Sequence, residues 1–166
     1  MKELIYVMDK TSTGWSEPYP LPDIINSVPG IHWQVSVDNK GNLYFGARQN
    51  GGVISRIYYS KFENGSYAEP RIMENLKDVD AHSPFVAPDG SYLIISSNGL
   101  QILFRKKDGS WTGCKSITEI IGYSGHCPIV THDGRYLFFV HNVGDKFIPY
   151  WVDASLIEEL RPNEVK

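Results

Sequence analysis

A chain of 166 residues, 42% hydrophobic and 21% charged, is long enough for one sizeable core and too apolar to stay disordered. A formal charge of −3 gives no basic footprint, so nucleic acid is excluded as the expected partner. No apolar run approaches the roughly 18 residues of a membrane span.

Aromatic residues at 13%, with 15 Gly and 10 Pro, favour short strands and many turns over long helices. The first segment, MKELIYVMDKTSTGW, does not read as a secretion signal, because Glu3 and Asp9 interrupt it and no small-residue cleavage site follows. A cytoplasmic location is expected if Met1 is the natural start, and a periplasmic one if a signal was removed. Cys114 and Cys127 read as free thiols in the first case and as a candidate disulfide in the second. Strands are expected at 4–8 and 15–21.

From residue 31 the chain repeats itself. HSPFVAPDGSYLII starts at His82 and HCPIVTHDGRYLFF at His126, and HWQVSVDNKGNLYF from His32 has the same spacing. Leu43, Leu93 and Leu137 anchor the three apolar runs, and a histidine stands eleven residues before each. Asp-Gly or a similar turn precedes each leucine, as tight hairpins require. A further strand follows each run (RIYYSKF, QILFRKK, FIPYWVD), and two copies add a Gly-aromatic hairpin, ENGSYAEP and KDGSWTGC. The unit recurs after 50 and then 44 residues. Four short antiparallel strands at that period predict an all-β chain of β-propeller blades. The blades are expected over about 31–74, 82–120 and 126–152, the last with three strands. A short C-terminal helix is expected from a capping box, Ser155 with Glu158, with Leu156, Ile157 and Leu160 docking on a blade and Pro162 ending it.

About three blades make half a ring, and residues 1–166 read as a single half-propeller domain. The strands within 4–22 are expected to complete or cap a blade. Uncovered end sheets would expose apolar faces and strand edges. A homodimer closing a roughly six-bladed ring is therefore the expected partner, with the N-terminal strands completing or capping the other copy's last blade.

The phrases SPFVAPDGSYLIISS and CPIVTHDGRYLFFVH resemble the PD40 repeat, the WD40-like propeller repeat of TolB-type proteins. GWSEP, GSYAEP and YWVDASLIEELRP resemble longer bacterial proteins of that group. Ala87 and Thr131 stand where serine is usual, His132 where proline is usual, and the first copy lacks the Asp-Gly pair. The resemblance implies the propeller fold, and makes this chain look like the C-terminal half of a longer member.

In a propeller the first strand of each blade lines the channel. His32, His82 and His126 would then ring its mouth, where they could ligate a divalent metal or bind an anion. Asp80 could add a carboxylate, and Arg48, Arg56, His141 and Asn142 fall on loops of the same predicted face. The other open reading has these histidines bracing the blades through local hydrogen bonds. GYSGH departs from the nucleophile elbow at His126 and leads into a strand, so Ser124 is not read as a nucleophile. KDGSWT resembles the sialidase Asp-box but lacks one residue of it. Tyr58, Tyr59, Trp111 and Trp151 are expected in the inter-blade core, and Asp38, Asp89 and Asp133 in turns. Two function classes follow. One is a non-enzymatic binding module, with a protein or small-molecule ligand at the loop face around the channel mouth and no cofactor required. The alternative is a metal-dependent hydrolase or lyase with a histidine-lined site there.

Overall fold

A computed structural model describes residues 3–30, 34–48 and 52–165. His32, Trp33 and the segment 49–51 lie outside the described residues. In chain order, β1 (Tyr6–Val7) and β2 (Tyr19–Pro20) form an antiparallel hairpin, and α1 (Asp23–Asn26) follows it. Next come β3 (Val35–Val37), β4 (Leu43–Arg48) and β5 (Ser55–Ser60). A separate small hairpin of β6 (Phe62–Glu63) and β7 (Ser66–Tyr67) precedes β8 (Arg71–Ile72). The first sheet has the order β3-β4-β5-β8.

The second sheet contains β9 (His82–Val86), β10 (Tyr92–Ser96), β11 (Leu100–Phe104) and β12 (Lys115–Ser116), in sequence order across the sheet. After α2 (Thr118–Ile121), the third sheet follows as β13 (His126–Val130), β14 (Tyr136–Val143) and β15 (Lys146–Asp153). Then come α3 (Leu156–Leu160) and a 3-10 turn at Asn163–Val165. All the pairings within these sheets are antiparallel. No helix among the described residues is long and apolar enough to cross a membrane.

Side chains of successive strand residues point to opposite faces, and that alternation sorts the core into three layers. Tyr44 and Ile57 of the first sheet pack with Val86, Leu93, Ile95 and Leu103 of the second. From the opposite face of the second sheet, Ile94, Ile102 and Phe104 meet Val130, Leu137 and Phe139 of the third. Leu156 and Ile157 of α3 are buried in that layer, with Leu160 packed against it. The remaining face of the first sheet, with Leu43, Phe45, Ala47 and Tyr58, is covered by Ile5, Leu21, Ile25 and Val28. Each fully buried Leu, Ile or Phe side chain contributes about 1.5–3 kcal/mol.

Within the single chain the N-terminal hairpin and α1 lie against its own first sheet. Several expectations need correction. The capping box does not form: Ser155 makes no side-chain cap, while Glu158 takes Arg161 through paired hydrogen bonds of 2.7 and 2.8 Å. Asp153 accepts from the Ser155 amide at 2.8 Å instead. Trp151 is not core. It is 59% exposed on the outer face of the third sheet, edge-on to Tyr136. The one-turn helices α1 and α2 are too short to carry a helical period. Cys114 and Cys127 are both free thiols.

The histidine cleft at the ends of the inner strands

The inner strands β9 and β13 open on the same irregularity. Ser83 and Cys127, each directly after the repeat histidine, adopt φ of 49° and 53°. This left-handed backbone is uncommon for residues other than glycine. Each is followed by a proline, which has no amide hydrogen to offer a ladder. The register slips by a residue at both places, between His82 and Phe85 and between His126 and Ile129. A bulge of this kind re-aims the side chain beside it. It also brings Ser83 Oγ to 3.6 Å from Cys127 Sγ, and the Cys127 amide donates to Ser96 Oγ at 3.2 Å. Gln34 of the segment before β3 ties the same strands together, donating from Nε2 to the carbonyls of Pro84 and Pro128 at 3.4 and 3.3 Å.

His82, His126 and His141 line one cleft of about 410 Å³. The tip of the β10–β11 hairpin, Ser96 to Gly99, forms one wall. Ser124 and Gly125, leading into β13, form another, and Asn142 and Phe147 of the β14–β15 hairpin close the third side. Gly99 has φ +98°, and a β-carbon there would collide with Thr118, whose hydroxyl accepts from the Leu100 amide at 2.8 Å. The turn is thus held in the shape that leaves the cleft open.

Each histidine is held differently. His82 shares a 3.0 Å hydrogen bond between Nδ1 and Ser83 Oγ. His126 stands edge-on to the Phe147 ring, centroids 5.9 Å apart. His141 donates from Nδ1 to the Ser124 carbonyl and lies against Tyr123 and Tyr150. Asp80, Arg48 and Arg56 gather one step away around Ser55. Asp80 accepts from the Ser55 amide at 2.8 Å, Arg48 donates to the Ser55 hydroxyl at 3.5 Å, and Arg56 donates to the Ser55 carbonyl at 3.3 Å. They do not line the cleft, although Asp80 and Arg48 lie close enough to act on the charge of His82. Among the described residues no group of three or more His, Cys, Asp or Glu could hold a metal ion. The His32, His82, His126 triad has one member outside them.

Partial burial pushes the His82 pKa below its ordinary value of 6.5, with His126 and Arg48 acting in the same direction and Asp80 opposing. A neutral folded imidazole whose unfolded form still binds a proton makes stability rise with pH. The contribution is complete above about pH 6.5 and is lost as pH falls from there through the folded pKa. In an NMR titration His82 should protonate below the ordinary imidazole value of 6.5. His82→Ala should flatten the dependence of the urea midpoint on pH below 6.5; an unchanged slope would refute the assignment.

The equal histidine offsets pointed to His82 and His126, and the loop positions to His141 and Asn142. Ser96 to Gly99, Gly125 and Phe147 were missed. The signal for Ser96 to Gly99 and Phe147 is the SSNG turn and the later hairpin tip, which have no counterpart of matching spacing in the other copies, while Gly125 stands in GYSGH directly before His126.

No known family profile matches the chain, and no curated protein matches it either. Among solved structures it is similar to TolB from Acinetobacter baumannii, with a TM-score of 0.56 and 20% identity over 92% of this chain and 35% of that one. The chain therefore spans about a third of that protein's length. Stacked antiparallel sheets, a repeat-bearing inner strand in each, and this likeness together give the chain a TolB-like β-propeller fold.

Proposed function

We propose that the chain is a non-enzymatic binding module that takes its ligand in the histidine cleft at the loop face. The observation behind this reading is that three histidines from separate elements share one cleft with hydroxyl and amide groups. Imidazole, serine and asparagine side chains both donate and accept, which suits a ligand bearing hydroxyl or carboxylate groups. The hydrolase alternative needs a third ligating side chain and an acid or base beside it, and it rests on His32. Two probes test the reading, sodium phosphate and zinc chloride, each titrated while the histidine resonances are followed by NMR. An oxyanion site gives phosphate shifts at His82 and His126 that strengthen below about pH 6, whereas a metal site gives zinc binding that weakens there. The double variant His82→Ala, His126→Ala should abolish binding and keep the fold. If neither probe binds, or if the double variant unfolds, the histidines are braces.

We further propose that a second copy of the chain covers the outer face of the third sheet. Ile129, Phe138, Phe147 and Trp151 are 54%, 40%, 72% and 59% exposed there. Ile129, Phe138 and Trp151 form one cross-strand row over β13, β14 and β15. The other end of the stack is already covered by the N-terminal cap, which argues for a face-to-face pair in place of a closed six-bladed ring. Light scattering at micromolar concentration should give a dimer, and Trp151→Glu a monomer. A wild-type monomer under those conditions would rule the pairing out.

A further inference from the structure

A second, larger cleft lies between the first two sheets, on the side away from the inner strands. It encloses about 660 Å³, within the usual range for small-molecule sites. Its walls are mainly apolar and aromatic: Tyr59 and Met73 from the first sheet's side, Trp111 from the second's. Buried Tyr44 lies beneath, its ring 5.0 Å from that of Tyr59 and 6.4 Å from that of Trp111. Arg105 sits among these rings. Its guanidinium lies 4.8 Å from the Trp111 ring centroid and donates from Nη2 to the Tyr44 hydroxyl at 3.0 Å. Its Nε is buried and has no hydrogen-bond partner among the described residues.

The charge around this cleft is unbalanced. Lys61, Arg71, Glu74 and Arg105 all line it. Lys61 is paired with Glu63, and Glu74 is committed to Lys77. Among the described residues neither Arg71 nor Arg105 forms an ion pair. A guanidinium set among aromatic rings, with neutral tyrosine hydroxyls and a ring but no carboxylate for partners, is poorly compensated for the water it has lost. Its planar fork matches the paired oxygens of a carboxylate, as it does those of a phosphate, and the apolar walls favour the singly charged carboxylate. The surrounding rings favour a flat apolar body by offset or edge-on contact.

From this combination we infer that the cleft is a second binding site, for a flat aromatic carboxylate held by Arg105 and Arg71 with Tyr59 and Trp111 against its ring. It differs from the histidine cleft in both walls and charge, and stands independently of the function proposed for that cleft. The probe is 2-naphthoate, compared with the neutral 2-naphthalenemethanol, and the readout is the indole N–H resonance of Trp111 in the full chain. Naphthoate should shift that resonance and bind at least about tenfold more tightly than the alcohol, the effect of one charge-assisted contact. Arg105→Met should bring the two affinities together. Arg71→Ala alters an exposed side chain that the fold does not need, and should weaken naphthoate several-fold without affecting the alcohol. Equal affinities in the wild type, naphthoate shifts confined to other resonances, or unchanged naphthoate binding in Arg71→Ala would each overturn the assignment.

Discussion

Phe104→Ala should remove about 3–5 kcal/mol of stability, the usual cost of a large aromatic cavity in a well-packed core. Phe104 is fully buried where β11 meets β14 and α3. The Arg161 guanidinium covers its ring at 4.8 Å, and its amide donates to Thr112 Oγ1 at 2.9 Å. Truncation empties a space bounded by three separate elements, none of which can collapse inward alone. Domains are commonly stable by only about 5–15 kcal/mol, so the loss is a large fraction of the total. The urea midpoint should fall with little change in the slope of the transition. The released α3 should become the first segment to exchange its amides. A loss below about 1 kcal/mol would mean that the ring is not the keystone of that layer.

Asn26→Leu should release the N-terminal cap. The Asn26 side chain is buried and makes three hydrogen bonds: it accepts from the Ile5 amide at 2.8 Å and donates to the carbonyls of Ile5 and Leu21 at 3.1 and 2.7 Å. Leucine has similar size and strips the Ile5 amide and the Leu21 carbonyl of this partner, each at about 1–3 kcal/mol, while the Ile5 carbonyl keeps the Leu21 amide at 2.9 Å. A total of about 2 kcal/mol or more falls on a segment held by a hairpin of two-residue strands and a one-turn helix, so the segment should detach before the rest unfolds. Limited proteolysis should then cut within residues 9–18 under conditions that leave the wild type whole. Asn26→Asp keeps the acceptor and loses both donations, and should give an intermediate rate. Detachment also bares Phe45, Ala47 and Tyr58, so aggregation should accompany cleavage. Unchanged protease resistance in Asn26→Leu would show that apolar burial alone holds the cap.

How much of this was readable from the sequence depends on the kind of interaction. Leu43, Leu93 and Leu137 could be aligned because each stands at the same place in a two-residue alternation. That alternation orders strands well wherever both faces of a sheet are covered. It cannot tell which sheet is last in a stack. Trp151 alternates correctly with Val152, yet no layer follows it, and it lies open. The destination of the N-terminal hairpin was equally illegible, because an apolar strand pair fits its own first sheet or a copy's last one by the same pattern. Capping shows a third limit. Glu158 stands three residues from Ser155 and three from Arg161, and the charged partner won. For the cleft, the histidine offsets carried real information. Phe147 and the Ser96–Gly99 turn did not stand out, because hairpin tips vary between repeats and answer to no common spacing.

The Gln34 tie also has a meaning in time. Its amide reaches one carbonyl 50 residues further along the chain and another 94 residues further. Within each sheet the strands meet neighbours close in sequence, which is the cheap part of chain closure. During synthesis at about 5–20 residues per second, the second acceptor emerges roughly 5–20 s after the donor. Until then the first two sheets are joined by their shared layer of side chains, by Gln34 to Pro84 and by the Val86 amide to Ser36 Oγ at 2.9 Å, with the third sheet not yet tied in. The Gln34 crossing point therefore closes only after the first two sheets are complete, and before β15 and α3 add the last layer.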